Sequence, residues 1–417
     1  MTKIEQAYAL AKEQYAALGV DTDAAIAAAD RVPLSIHCWQ GDDVIGFEDF
    51  GGNLTGGIQT TGNYPGRART PAELRADMDK ALSYIPGEKK VNIHACYVES
   101  DTPVDRNEIE PCHFANWANW AAEKGIGLDF NGTFFSHPKS EKATLSSADE
   151  EIRSFWVEHG KRVREISAYF AEKTGKPCVN NLWIPDGDKE FPVDTYGPRL
   201  RLKKSLDEIQ EKPFDREKVV DCVESKVFGI GSESYVVGNH EFYMGYALSR
   251  DDVLVTFDTG HFHPTEMVSN KLSAILLYKE KVLLHVSRPV RWDSDHVVTF
   301  DDELRAIMNE LVRMDALDRV YLALDYFDAS INRVVAWGVG ARNTRKAILN
   351  ALLQPVDYLK KMEAEGDTSG RLAVAEELKS MPFGAVWDYY CAKAGVPVGL
   401  DWLEDARAYE RDVLSKR

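Results

Sequence analysis

One stretch of the chain, HVSRPVRWDSDHVV at 285–298, combines groups that could bind a cation. It places a histidine at the end of an apolar run and two aspartates, Asp293 and Asp295, a few residues later. Two interpretations compete: a solvated loop with ordinary salt bridges, or two carboxylates that reach toward the same ion. Arg288 and Arg291 fit both, since an arginine can orient a ligand carboxylate or form a surface salt bridge.

Similar side chains recur near the ends of other apolar runs in this chain of 417 residues. The candidates are His37, His94, Asn131, Trp183, Glu224, Lys226, Asp258, His261, His285, Asp293, Asp295 and Asp325. Taken singly, an aspartate in such a position is more often a helix cap or a salt-bridge partner than a metal ligand. Their function therefore depends on whether the fold brings them together.

Eight short apolar or β-branched runs alternate with helical patterns and would hold these residues. The runs are LSIHCW (34–39), VNIHACY (91–97), IGLDFNG (126–132), CVNNLWI (178–184), VVDCVESK (219–226), VLVTFD (253–258), VLLHVS (282–287) and VYLALDY (320–326). Strands that alternate with helices imply parallel pairing through right-handed crossovers. The pattern predicts an α/β protein with a (β/α)8 TIM barrel, and a doubly wound open sheet is the second choice.

Helical patterns also flank the predicted barrel. The first twenty residues are amphipathic, and the chain beyond about residue 345 is helical in pattern and highly charged. We predict a catalytic barrel domain at 1–345, which includes the N-terminal helix, and a helical extension at 346–417. The extension would pack on the barrel or on a neighbouring subunit.

A barrel of this kind would bring at least five carboxylates and two imidazoles to one mouth. Like charges at such short range cannot all stay ionised without a counter-charge, which divalent cations would supply. The set contains no thiolate and more carboxylates than imidazoles, which favours Mn²⁺, Mg²⁺ or Co²⁺ over structural zinc. These side chains exceed what one octahedral ion can use, so we predict two ions that share a bridging carboxylate.

The segment Glu224-Ser225-Lys226 adds a second type of group. Residues two apart on a strand point to the same face, so a ligand carboxylate and an ammonium group would be neighbours at the site. An ammonium group there can neutralise a developing alkoxide or donate a proton to a carbonyl oxygen.

Composition and charge limit the partners of this protein. A formal net charge of −17 repels phosphate backbones, so we expect no nucleic acid partner. The six cysteines are scattered without a CxxC pair, which favours reduced thiols and a cytoplasmic location. The start lacks the apolar segment of a secretion signal, and the sequence has no apolar run long enough to span a membrane.

The stretch GGNLTGGIQTTGNYPG at 51–66 follows the first predicted strand and is rich in glycine. It contains neither GxxxxGK[ST] nor GxGxxG, so a phosphate cradle is disfavoured. A mobile lid over the barrel mouth is the favoured interpretation, and an ordered surface loop without function is the alternative.

Several long motifs resemble the L-rhamnose isomerase family, and the resemblance runs essentially from end to end. The motifs are GHFHPTE (260–266), HVSRPVRWDSDHVV, LDYFDASINR (324–333), NIHACYVESD, NLWIPDGDKE and VESKVFGIGSESY. The resemblance implies a metal-dependent aldose–ketose isomerase on a (β/α)8 barrel, similar in site layout to xylose isomerase. It also implies a homotetramer that uses Mn²⁺, with Co²⁺ or Mg²⁺ as substitutes.

Carried over by position, the resemblance assigns roles to ten residues. The first, substrate-orienting metal would be held by Glu224, Asp258, His285 and Asp325. The second, catalytic metal would be held by His261, Asp293 and Asp295, with Asp258 as the bridge. Lys226 corresponds to the catalytic lysine beside O1 of the sugar. His94 and Trp183 fall where the family lines the sugar pocket.

The residues themselves leave other functions open. A sugar epimerase would need the same metal and a carboxylate base. An endonuclease on a metal-lined barrel is disfavoured by the net charge of −17. A non-catalytic sugar-binding protein would need neither two metals nor an ammonium group between them. Conversion of L-rhamnose to L-rhamnulose is the leading hypothesis.

Two routes can move hydrogen between C1 and C2 of the sugar. An enediol route needs a general base close to the C2 proton. Every carboxylate predicted at the barrel mouth is already assigned to a metal, whereas His94 or a metal-bound hydroxide remains an alternative carbon base. We therefore predict a hydride shift between C1 and C2, with two cations holding O1 and O2 and Lys226 steadying O1.

Overall fold

The computed structural model describes residues 1–48, 50, 58, 60–229, 234–263, 265–291 and 294–417. Asp293, which the sequence predicts to be a metal ligand, lies outside the described residues. Residues 51–57 and 59 of the glycine-rich stretch also lie outside them, so the lid at 51–66 stays a prediction.

Eight parallel strands close into a barrel in the described part of the chain. The strands of the protein are β1 (Leu34–His37), β2 (Lys89–His94), β3 (Gly127–Thr133), β4 (Cys178–Trp183), β5 (Gly187–Asp188), β6 (Val219–Glu224), β7 (Tyr235–Val236), β8 (Val253–Asp258), β9 (Val282–Val286) and β10 (Val320–Leu324). The order around the barrel is β1-β10-β9-β8-β6-β4-β3-β2, and β5 pairs with β7 in a separate small sheet. Each predicted run overlaps one barrel strand, so the (β/α)8 prediction is confirmed and the open sheet is wrong.

Helices surround this barrel. They are α1 (Lys3–Ala16), α2 (Thr22–Arg31), α3 (Pro71–Leu82), α4 (Ala115–Glu123), α5 (Glu150–Thr174), α6 (Tyr196–Ile209), α7 (His240–Leu248), α8 (Ser269–Ile275), α9 (Asp302–Arg313), α10 (Arg333–Leu352), α11 (Val356–Ala364), α12 (Thr368–Glu377), α13 (Phe383–Lys393) and α14 (Asp401–Asp412). Aspartates cap the first turns of α5 and α9, where Asp149 and Asp301 accept hydrogen bonds from backbone N–H groups. No helix in the described ranges is both long and apolar enough to cross a membrane.

The side chains of each barrel strand alternate between two environments, as the pleat requires. Outward-facing residues such as Leu34 and Ile36 of β1 are fully buried in the core between the barrel and the helices. Inward-facing residues of β4, β6, β8, β9 and β10 form a second apolar cluster inside the barrel. This cluster contains Val179, Val220, Cys222, Leu254, Leu283 and Ala323. On several strands, the next inward position toward the C-terminal end is a candidate site residue.

The last helices of the chain contact its first helices and α3. The rings of Tyr389 in α13 and Tyr8 in α1 stack at a centroid distance of 3.8 Å. Tyr409 of α14 donates a hydrogen bond of 2.7 Å to Asp77 of α3, and Arg417 forms an ion pair with the same carboxylate. The predicted domain boundary at position 345 falls within α10. The division into two domains stays a prediction.

Candidate active site

Four neighbouring strands of the barrel have a carboxylate or an imidazole at or next to their C-terminal ends. Glu224 ends β6, Asp258 ends β8, His285 is the last inward-facing residue of β9, and Asp325 follows β10 directly. Each lies two residues after an inward-facing position, so all four side chains point into the barrel above the apolar cluster. On these four strands the inward positions nearer the N-terminal end include the apolar residues Val220, Cys222, Leu254, Leu283 and Ala323, which pack together below the site.

These four residues form a compact first group. The Nδ1 atom of His285 lies 3.1 Å from Oε2 of Glu224, 3.3 Å from Oδ2 of Asp325 and 3.9 Å from Oδ2 of Asp258. One ligand atom from each of the four can be chosen so that all lie within 4.8 Å of one another. Such a cluster of carboxylate oxygens around an imidazole nitrogen could hold a divalent metal ion.

A second group shares Asp258 with the first. It contains Asp258, His261 and Asp295, again with one ligand atom from each within 4.8 Å of the others. The Nε2 atom of His261 lies 3.3 Å from Oδ1 of Asp295 and 3.7 Å from Oδ2 of Asp258. Its Nδ1 atom lies 3.0 Å from the carbonyl oxygen of Ser225 and 3.1 Å from Oε1 of Glu224. Because the carbonyl oxygen only accepts, Nδ1 carries the proton and Nε2 is left to bind.

The connection after β9 brings Asp295 to this group by folding back on itself. The backbones of Arg288 and His296 form an antiparallel bridge with reciprocal hydrogen bonds of 3.0 and 3.3 Å. A Cβ atom on Gly260 would lie 2.4 Å from the Ser294 carbonyl oxygen and 2.9 Å from Oδ1 of Asp295, so only glycine permits this approach. The Arg288 guanidinium donates to the carbonyl of Val297 and thereby supports the connection itself.

Five buried polar atoms in the two groups lack any hydrogen-bond partner among the described residues. They are Oε1 of Glu224, Oδ2 of Asp258, both ring nitrogens of His285 and Oδ1 of Asp295, and all but Nε2 of His285 face the other ligands. The other oxygen of Asp258 accepts hydrogen bonds from the Gly260 backbone N–H and the Ser287 hydroxyl group, at 2.7 and 3.0 Å. Buried polar atoms are normally paired, so four converging unpaired ligand atoms fit a site built for cations.

The pKa shifts in the cluster follow from burial and mutual charge. Burial, together with nearby carboxylates, raises the pKa of Asp258 well above its usual range. Burial alone would lower the pKa values of His261 and His285, but the surrounding carboxylates outweigh it and raise both well above the ordinary value. Burial is also outweighed at Asp295, where the charges of Lys226 and His261 lower the pKa to about 2. The carboxylates thus stabilise positive charge at this position.

A pocket opens above the two groups. Its polar wall includes His94 and Lys226, and its aromatic wall includes Trp39, Phe135 and Trp183. The Lys226 ammonium group lies 3.1 Å from Oδ2 of Asp295 and 5.6 Å from the centre of the Trp183 ring. Burial lowers the pKa of His94 to about 3, so this imidazole is neutral. The two ligand groups therefore lie at the bottom of a pocket whose side walls can contact a sugar through hydrogen bonds and aromatic ring faces.

Known proteins resemble this chain over its whole length. The family described as L-rhamnose isomerase (RhaA) matches residues 2–417. An L-rhamnose isomerase from Mannheimia succiniciproducens is 58% identical, with 100% of each chain covered. One from Listeria innocua is 57% identical, with 100% of this chain and 99% of that protein covered. The chain belongs to the L-rhamnose isomerase family.

Membership of the L-rhamnose isomerase family confirms the sequence-based prediction of an aldose–ketose isomerase. Among solved structures, that of an L-ribulose 3-epimerase is similar with a TM-score of 0.49 and 14% identity. The similarity covers 80% of this chain and 97% of the epimerase chain.

The structure of this L-rhamnose isomerase family member brings together nine of the ten residues that the resemblance singles out. Glu224, Asp258, His261, His285, Asp295 and Asp325 lie in the two groups, and His94, Trp183 and Lys226 line the pocket above them. Asp293 lies outside the described residues. The roles of these residues in binding and catalysis stay predictions.

Sequence reasoning missed several residues that support the site. Trp39 donates a hydrogen bond of 3.0 Å from its indole N–H to Oδ1 of Asp325, and Asn181 donates one to Oε2 of Glu224. The carbonyl of Ser225 is the third such group. Trp39 lies two residues after His37 and Asn181 two before Trp183, so spacing along a strand was the signal available for both.

Proposed function

We propose that this member of the L-rhamnose isomerase family interconverts L-rhamnose and L-rhamnulose with the help of two divalent cations. The observation that carries the proposal is the pair of ligand groups joined at Asp258, whose Oδ2 atom has no hydrogen-bond partner among the described residues. Two ions joined by one carboxylate would satisfy all four unpaired ligand atoms at once.

The first cation would be held by Glu224, Asp258, His285 and Asp325, and the second by Asp258, His261, Asp295 and the proposed ligand Asp293. Carboxylate oxygens outnumber imidazole nitrogens, and this donor set suits Mn²⁺ as the preferred ion, with Co²⁺ or Mg²⁺ as substitutes. When bound, the cations would polarise O1 and O2 of the open-chain sugar and offset the negative charge that develops there.

The chain's own side chains would orient the sugar and control its protons. Lys226 would lie beside O1, where its ammonium group can stabilise the oxygen as the carbonyl becomes an alcohol. His94 is neutral and can exchange hydrogen bonds with a sugar hydroxyl group without adding charge. The indole and phenyl rings of Trp39, Phe135 and Trp183 would exclude water from the reacting carbons.

The proposed function is tested by an isomerisation assay with controlled metal content. The purified protein is depleted of metal with a chelator, divided, and supplied with Mn²⁺ or with buffer before L-rhamnose is added. We expect ketose to form only in the sample with Mn²⁺, and L-rhamnulose to be converted back to the aldose by the same sample. Equal ketose formation with and without Mn²⁺ would contradict the metal dependence, and no ketose in either would contradict the isomerase.

We further propose that hydrogen moves as a hydride. The hydrogen on C2 would migrate with its electron pair to C1, while O2 loses a proton and O1 gains one. An enediol route would instead need a base at the C2 proton. The carboxylates that the described part of the pocket presents, Glu224, Asp295 and Asp325, all belong to the ligand groups and are therefore engaged.

A single turnover in D₂O distinguishes the two routes. We expect L-rhamnulose without deuterium at C1 when enzyme in excess over L-rhamnose is quenched and the product is analysed by NMR. The migrating hydride never exchanges with solvent, whereas an enediol takes a solvent deuteron at C1. A control incubation of L-rhamnulose without enzyme measures spontaneous exchange. Deuterium at C1 well above that control would establish the enediol route, with His94 as the first base to test.

We also propose that the chain forms a homotetramer and acts in the cytoplasm. The proposal rests on the resemblance to the L-rhamnose isomerase family and on the scattered cysteines, which favour reduced thiols. Light scattering after size-exclusion chromatography should give four times the mass of one chain. A mass of one or two chains at micromolar concentration would contradict the tetramer.

A further inference from the structure

The two imidazoles of the ligand groups differ in how their second nitrogen is held. His261 directs Nε2 toward the carboxylates and donates from Nδ1 to the carbonyl oxygen of Ser225. His285 directs Nδ1 toward the carboxylates, and its Nε2 atom is buried with no hydrogen-bond partner among the described residues. A metal-binding histidine almost always donates its other N–H to a fixed acceptor, which sets the direction of the ring. No such acceptor for Nε2 of His285 is found among the described residues.

The register of the barrel shows what lies beside His285. Ser35 of β1 pairs with Ala323 of β10, and Ala323 pairs with His285 of β9. Neighbouring strands are about 4.8 Å apart, so Ser35 and His285 stand roughly 10 Å apart across Ala323. All three face inward, and Ala323 contributes only a methyl group. The hydroxyl oxygen of Ser35 is buried and has no hydrogen-bond partner in the described chain.

His37 lies one inward position above Ser35. Its side chain is fully buried, and neither ring nitrogen has a hydrogen-bond partner among the residues described. The rings of Tyr326 and Trp39 confine it, with centroid distances of 4.3 and 5.2 Å. Burial lowers the pKa of His37 to about 3 against a smaller opposing effect of the Tyr326 backbone, so the ring is neutral and one nitrogen is an acceptor.

We infer that a buried water molecule links His285 to His37 and Ser35, and that His37 is a positioning residue for the first metal site. The Nε2–H of His285 donates to this water, which donates to the acceptor nitrogen of His37 and accepts from the Ser35 hydroxyl group. Three hydrogen bonds are typical of a buried water and satisfy polar atoms on β1 and β9 together. The inference rests on the proposed metal sites, because it concerns how one ligand is aimed.

Metal affinity tests the role of His37 without reference to turnover. Metal-depleted wild-type protein and the His37→Phe variant are titrated with Mn²⁺ by isothermal titration calorimetry. We expect the variant to bind one of the two ions roughly 10–100-fold more weakly, the usual effect of losing a group that orients a ligand.

The matched control is His159→Phe. His159 in α5 is also a fully buried histidine, and its Nε2 atom likewise has no hydrogen-bond partner among the described residues, but it lies outside the barrel. Both variants should lose stability, whereas only His37→Phe should lose affinity for Mn²⁺. Wild-type affinity in His37→Phe, or an equal loss in His159→Phe, would overturn the inference. Failure of the wild-type protein to bind Mn²⁺ would instead overturn the proposed function.

A crystal structure of the wild-type protein gives a test that does not depend on how the variants fold. We expect a water molecule within about 3.2 Å of Nε2 of His285 and of one ring nitrogen of His37. High-resolution density with no water between these two atoms would overturn the inference even if the variants lost affinity for other reasons.

Discussion

An Asp258→Asn variant is expected to lose at least about 99% of its turnover, a barrier increase of roughly 2.7 kcal/mol. Asp258 is the residue that both ligand groups share, and its Oδ2 atom lies 3.7 Å from His261 and 3.9 Å from His285. Asparagine can keep the contacts of Oδ1 with Gly260 and Ser287. It places an uncharged group where Oδ2 faces the ligands, so the affinity for both cations should fall.

The measurement combines kcat for L-rhamnose at saturating Mn²⁺ with the metal content of the purified variant. Asp129→Asn is the matched control, because Asp129 is also a buried, inward-facing aspartate of the barrel but forms an ion pair with Lys90. We expect this control to unfold at a lower temperature and to keep both metal ions. A folded Asp258→Asn variant that retains more than about a tenth of wild-type kcat would remove Asp258 from its bridging role.

The barrel could be predicted because its strands are encoded locally. Short apolar runs that alternate with helical patterns leave few ways to bury both faces of each strand, and a closed parallel barrel is the one that uses eight units. The same reasoning placed Glu224, Asp258 and His285 at the ends of strands. Period-two alternation then predicts that they face inward, as the structure shows.

The contacts between strands could not be predicted, because they depend on the register of the barrel. Trp39 donates to Asp325 across 286 residues of chain, and this contact requires β1 to lie beside β10. The positions of His37 and Ser35 relative to His285 have the same origin. Sequence spacing tells which residues share a face of one strand but not which residue of the next strand stands opposite.

The backbone path of the stretch at 285–298 is a second feature that could not be predicted from the sequence. In the sequence, Asp293 and Asp295 are two carboxylates that could reach toward the same ion. The structure places Asp295 after the end of β9, in a connection held by the bridge between Arg288 and His296. That connection folds back because backbone N–H and C=O groups pair with each other. The pattern of side chains in the sequence does not predict this backbone pairing. Asp293 lies outside the described residues.

A Lys226→Met variant should lose roughly 100–1000-fold in kcat while KM changes much less, because a group that stabilises developing charge acts in the transition state. Lys226 is buried, lines the pocket and lies 3.1 Å from Oδ2 of Asp295. Methionine keeps the length and the apolar stem of the side chain and removes its charge. Steady-state kinetics with L-rhamnose at saturating Mn²⁺ gives kcat and KM separately.

The alternative for Lys226 is an indirect role through Asp295, since removing the ammonium group also changes the charge around a proposed metal ligand. The metal content of Lys226→Met decides this point: a direct role beside O1 of the sugar predicts two bound ions together with the low kcat. Lys90→Met is the control, because Lys90 is another buried lysine inside the barrel whose ammonium group pairs with Asp129, not with a ligand carboxylate. It should lower stability and leave kcat near the wild-type value. Unchanged kcat with a raised KM in Lys226→Met would make Lys226 a residue that holds the sugar in the ground state, because uniform binding affects KM alone.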